Sequence, residues 1–105
     1  MADKRGWVYV VSGAGLYKIG RTTAPNGVAG RLSALQGSSP VPLTLEMSFE
    51  VDLCYATERM LHDQFRHKSV PLVGREWFAL DGLDLDWIRN MDLPTLLTEH
   101  APRRG

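Results

Sequence analysis

The sequence predicts an α+β domain, a small and mainly antiparallel β-sheet flanked by helices in the order β-β-α-β-α-β-α. Three observations carry that prediction. Two β-rich runs, residues 7–11 and 16–20, flank a glycine-containing turn. Residues 43–51 place Leu43, Leu45, Met47, Phe49 and Val51 at alternate positions. Two later stretches repeat apolar residues at helical spacing, one through Leu53, Ala56, Met60, Leu61 and Phe65, the other through Leu85, Trp87, Ile88 and Met91.

The first run is rich in β-branched and aromatic residues, which suit a pleated, half-buried surface. Gly13-Ala14-Gly15 supplies the turn, and pairing Tyr9 with Lys18 leaves residues 12–15 as a four-residue loop. In that register Tyr9 and Lys18 project from the same face, with Val10 and Tyr17 on the other. Pro25-Asn26-Gly27 breaks the chain before a short helix over 28–36, with Ala29, Leu32 and Leu35 on one face. Residues 37–42 read as a loop ahead of the third strand. Asp52 is positioned as the N-cap of a helix reaching about Lys68. Residues 76–80 form the last strand, and Asp81 or Asp84 caps the final helix.

At 105 residues the chain fits one domain, residues 1–105. Its core is expected over about 7–80, a C-terminal helical segment over 81–99 and a frayed tail over 100–105. No apolar run approaches the roughly 20 residues that span a bilayer, and residues 7–11 are too short for a signal-peptide core. A cytoplasmic protein with no membrane partner is the expectation. The single cysteine, Cys54, excludes an internal disulfide and a thiolate zinc site. Lys and Arg number 12, as do Asp and Glu, so no overall basic excess is present. Any basic surface for nucleic acid must come from local clustering or from a partner.

Several side chains carry potential chemistry. An ammonium beside a phenol favours the phenolate, so the pairing of Lys18 with Tyr9 offers a general base or proton relay; the plain alternative is a packed tyrosine and a solvent-facing lysine. Arg31 precedes a core-facing leucine, and its guanidinium suits bidentate contact with phosphate; the plain alternative is a solvent-exposed helix arginine. Glu58 shares a helical stripe with Cys54, Leu61 and Phe65. A carboxylate on an apolar stripe needs a cation or a metal as partner. One carboxylate plus waters is a workable Mg²⁺ arrangement. His62 lies one turn further on, and Trp77 is either a strand residue or a stacking platform for a base.

The order and spacing of these residues resemble the GIY-YIG nuclease superfamily. Residues 7–10 resemble the first motif, with Tyr9 at its tyrosine, and residues 17–22 resemble the second motif and its tail. Arg31-Leu32 resembles the motif arginine, and Glu58 the metal-binding glutamate. The pattern is most similar to the small phage and bacterial branch that reads Lys-Ile-Gly for Tyr-Ile-Gly, with a Glu-x-x-Leu-His helix (Glu58 to His62) and a Glu-Trp-Phe strand (Glu76 to Phe78). Lys18 stands where the second tyrosine usually is, and Leu35 where some relatives carry a histidine.

The resemblance implies phosphodiester hydrolysis in DNA by Tyr9, Lys18, Arg31 and Glu58, with Glu58 holding Mg²⁺ or Mn²⁺. Arg21, His62 and Trp77 are the implied substrate contacts. A homodimer or a recognition partner protein would fit so small a nuclease. The competing expectation is a weak or inactive nucleic-acid-binding or adaptor module of a phage or defence assembly.

Overall fold

The computed structural model describes residues 3–23, 26–71 and 77–100, with His100 described by its backbone alone. The order among them is β1 (Gly6–Gly13), β2 (Leu16–Thr22), α1 (Gly27–Ser38), β3 (Thr44–Val51), α2 (Cys54–Gln64), β4 (Trp77–Phe78), α3 (Gly82–Asn90) and α4 (Leu93–His100). This is the predicted α+β order with the C-terminal helical segment divided in two. The strands form one antiparallel sheet in the order β3-β1-β2-β4. None of the described helices is long and apolar enough to cross a membrane.

β1 is a central strand, and Val8, Tyr9, Val10 and Val11 are all buried, so both faces of the sheet are covered. Val8, Val10 and Ile19 pack with Met60, Leu61 and Phe65 of the α2 region and with Leu85 and Ile88 of α3. Trp87, Met91, Leu93, Leu96 and Leu97 close over the same core. The other face, carrying Tyr9 and Val11, lies beneath α1.

The hairpin register differs from the expected one. Gly13 pairs with Leu16 and Val11 with Lys18, so Tyr9 faces Gly20 rather than Lys18. The loop is two residues, Ala14 and Gly15, both at positive φ (53° and 79°). Two consecutive positive φ values match the twist of tight hairpins, so Ser12 and Gly13 continue the strand instead of entering a loop. The register moves by two residues, and Tyr9 and Lys18 therefore keep the same face.

The alternation of β3 is also broken. Met47 pairs with Val10 but Leu45 pairs with Val11, so Glu46 is the extra residue of a β-bulge. Met47, Phe49 and Val51 face the main core, whereas Leu45 shares the face of Val11. The bulged Glu46 accepts a hydrogen bond from Ser12 Oγ at 2.6 Å. In α1 the inward positions are Val28, Leu32 and Leu35, and Ala29 is exposed. Spacings of four and three replace the two threes expected, which keeps the stripe on one side of a 3.6-residue helix.

Asp52 does not cap α2. That position is filled from the other end of the chain, because Asp3 accepts from the backbone N–H groups of Tyr55 (2.9 Å) and Ala56 (2.8 Å). The Lys4 carbonyl accepts from Cys54 N at 2.9 Å. The N-terminal segment thus straps the start of α2 and leaves Leu53 exposed. α2 stops at Gln64, and residues Arg66–Lys68 form a separate 3-10 turn. Asp81 caps α3 as expected, and Asp84 completes a reciprocal capping box. Pro25, Arg75 and Glu76 fall outside the described residues, as does the tail beyond His100.

Burial alone would raise the Asp3 carboxyl, but the N–H groups of Tyr55, Ala56 and Lys4, with Arg21 nearby, hold it below its ordinary 3.8. A depressed carboxyl contributes stability above its unfolded value and loses it as pH falls through the lower folded value. Asp3→Ala is expected to cost about 1 kcal/mol at neutral pH. Urea titrations should show the gap from wild type narrowing as the pH drops below the ordinary carboxylate range.

Candidate functional site

Tyr9 is set by what faces it. Its phenol lies across the backbone of Gly20, where an added Cβ would come within 2.4 Å of the Tyr9 oxygen and 2.5 Å of Cζ. Only glycine leaves this space. The phenol reaches α1, where Arg31 Nε donates to its oxygen at 3.3 Å. Arg31 follows Val28 by three residues and precedes Leu35 by four, so it sits at the edge of the helix face that meets the sheet.

Glu58 approaches from the opposite layer. It is buried, and Arg21 Nη1 donates to its Oε1 at 2.6 Å. The Glu58 side chain is 12% exposed and that of Arg21 36%. Arg21 also stacks on the Tyr55 ring, with Cζ 4.1 Å from the ring centroid. Tyr55 precedes Glu58 by three residues on α2, so one guanidinium reaches both. Burial pulls the Arg21 guanidinium down, but Glu58 and Tyr55 outweigh it and hold Arg21 above its usual range.

The two halves meet at one shallow cavity of about 250 Å³, lined by Arg21, Thr22, Thr23, Arg31 and Tyr55. Arg31 connects it to Tyr9, and Arg21 connects it to Glu58. Two forked guanidiniums on one small cavity form a receptor for a tetrahedral oxyanion. The Tyr9–Arg31 and Arg21–Glu58 pairs therefore stand on either side of one cavity.

The other expected site residues stand apart from this cavity. Lys18 is buried on the same face as Gly20, and it lines a larger groove of about 350 Å³ with Leu16, Leu35, Leu43 and Trp77. Trp77 pairs directly with Lys18 across β4 and β2. His62 is committed to the fold: its Nε2 lies 2.8 Å from the Ile19 carbonyl, and its ring packs on Phe78 at 5.2 Å. Among the described residues β4 pairs with β2 only at Tyr17 and Lys18, and beyond that point His62 meets the β2 edge. Reasoning from the sequence missed Tyr55 and Thr22, although the three-residue spacing from Tyr55 to Glu58 was visible.

The fit for a divalent metal is specific. Among the described residues no three His, Cys, Asp or Glu side chains gather into a metal-holding group. A single carboxylate suits Mg²⁺, which keeps its waters and takes phosphate oxygens as ligands. It does not suit a metal held by protein side chains alone. Gly20→Ala should push the Tyr9 ring off Arg31 and cost about 1–3 kcal/mol, as overpacking does. Chemical denaturation together with the near-ultraviolet signal of the tyrosine would register both effects.

No curated protein and no solved structure matches the chain. The family model described as the T5orf172 domain matches residues 6–91, from the start of β1 through α3. That span contains Tyr9, Arg21, Arg31, Tyr55 and Glu58, and the chain belongs to the T5orf172 domain family.

Proposed function

We propose that this phage-associated domain hydrolyses phosphodiester bonds in DNA as a metal-dependent endonuclease of the GIY-YIG type. The observation that carries the reading is the cavity shared by Arg21 and Arg31, with Tyr9 behind one arginine and Glu58 behind the other.

A scissile phosphate in that cavity meets two planar donors, Arg31 from α1 and Arg21 from β2. Arg31 braces the charge that develops on its oxygens, and it also orients the Tyr9 phenol. As the phenolate, Tyr9 takes a proton from the attacking water, directly or through a relay, and becomes the phenol. Lys18, two residues before Gly20 on the same face, adds positive charge to that side of the sheet. Glu58 would hold Mg²⁺ or Mn²⁺ in this arrangement. When bound, such a metal neutralises the phosphate and stabilises the leaving oxygen.

The neutral net charge is compatible with this reading because the charges are distributed unevenly. Arg5 pairs with Glu50 and Asp52, Arg66 with Asp63, Lys68 with Asp81 and Asp84, and Arg89 with Asp86. These pairs cancel one another, whereas Arg31 and the Glu58-paired Arg21 both line the cavity. A second reading, a nucleic-acid-binding module without activity, is favoured by one observation. Arg21 occupies the Glu58 oxygen that a metal would use.

Nicking of supercoiled DNA in Mg²⁺ or Mn²⁺ separates the two readings. Wild type is expected to nick, and Tyr9→Phe and Glu58→Gln to lose on the order of 10²-fold or more in rate. Binding of DNA without any difference in nicking between wild type and Glu58→Gln would favour the module.

A further inference from the structure

The contact that argues for an inactive module can be read as a device. Resting on the metal-dependent reading above, we infer that Arg21 is a latch on Glu58, so that a divalent metal and a phosphodiester are taken up together rather than independently. In the free protein Arg21 holds Glu58 Oε1 at 2.6 Å. That oxygen cannot keep the guanidinium at this distance and also bind a cation. A cation arriving at the carboxylate competes with Arg21 for it, and the guanidinium yields most readily to another anion.

The geometry supplies the alternative position. Arg21 already lines the cavity beside Thr22, Thr23 and Arg31, where a phosphate would sit. The Tyr55 ring lies 4.1 Å beneath the guanidinium, a face over which it can pivot while keeping its cation–π contact. Exposure divides the roles in the same way. Arg21 is the more exposed partner, at 36% against 12% for Glu58.

Charge counting leads to the same conclusion. Glu58 and Arg21 together are neutral. A divalent cation arriving alone would leave an excess of positive charge beside Arg21 and Arg31, offset only in part by Glu58 and the nearby Asp3. A phosphodiester arriving with the metal receives the released guanidinium and removes part of that excess. By linkage, the factor by which DNA tightens metal binding is the factor by which metal tightens DNA binding. Arg21 acts here as a positioning residue for Glu58 and as a phosphate ligand.

The test measures metal binding, not turnover. Free Mn²⁺ is followed by electron paramagnetic resonance during titration of the full chain, with and without a short DNA duplex. All forms carry Tyr9→Phe so that the duplex stays intact, and the Glu58→Gln form gives the background from DNA itself. The duplex should tighten Mn²⁺ binding by about 10-fold or more. Arg21→Gln should bind Mn²⁺ more tightly than its parent without DNA and lose most of the DNA dependence. Arg21→Lys, which keeps the charge without the fork, should retain part of it. Equal Mn²⁺ affinity with and without the duplex overturns the latch, as does an Arg21→Gln affinity unchanged from the parent while Glu58→Gln abolishes binding. Those two results leave the nuclease reading standing. If Glu58→Gln binds Mn²⁺ as its parent does in the presence of duplex, the metal assignment and the latch fall together. Should Arg21→Gln not fold, the duplex dependence of the parent and of Arg21→Lys decides the question.

Discussion

The crossing of the Tyr9 phenol over Gly20 is the constraint on which the site depends. Two antiparallel strands ordinarily leave no room for an aromatic ring to lie across the neighbouring backbone. Here the partner residue has no side chain, and the ring occupies the space a Cβ would take. The phenol therefore crosses Gly20 to reach Arg31 on α1. The two-residue turn at Ala14-Gly15 places Gly20 opposite Tyr9, so turn chemistry at one end of the hairpin determines chemistry at the other.

A second constraint joins the two layers. Arg21 and Gly20 are adjacent in sequence and so face opposite sides of the sheet, one toward α2 and the other toward Tyr9. A site spanning both faces needs a long side chain at the end of a strand, and Arg21 provides one. Its contact with Glu58 also explains how α2 tolerates a buried carboxylate within the stripe that carries Cys54, Met60 and Leu61. The same ion pair holds the layers together and defines one wall of the cavity.

The sequence disclosed the parts of this arrangement that depend on local pattern. The strand and helix order followed from periodicity, Asp81 from capping chemistry, and the shared face of Tyr9 and Lys18 from the period of two, which survives a shift of two residues. What it did not disclose depends on single backbone events or distant contacts. Two positive φ values at the turn moved the register, and one bulge at Glu46 split an apolar alternation that looked continuous. The cap on α2 comes from Asp3, some fifty residues away, so no local signal could distinguish it from Asp52. His62 illustrates the opposite case, since its spacing from Glu58 suggested substrate contact while the Ile19 carbonyl of β2 claimed its nitrogen.

The central claim is that Tyr9, Arg31, Arg21 and Glu58 form one phosphodiester-binding site across the sheet. Titration of the isotopically labelled Tyr9→Phe chain with a short DNA duplex, read by nuclear magnetic resonance, tests it most directly. The account predicts that the largest shifts fall on the Arg21 and Arg31 side-chain N–H groups and on the amides of Thr22, Thr23 and Tyr55. Shifts confined to the groove of Leu16, Leu43 and Trp77, or scattered over the exposed ion pairs with the two arginines unchanged, would contradict it.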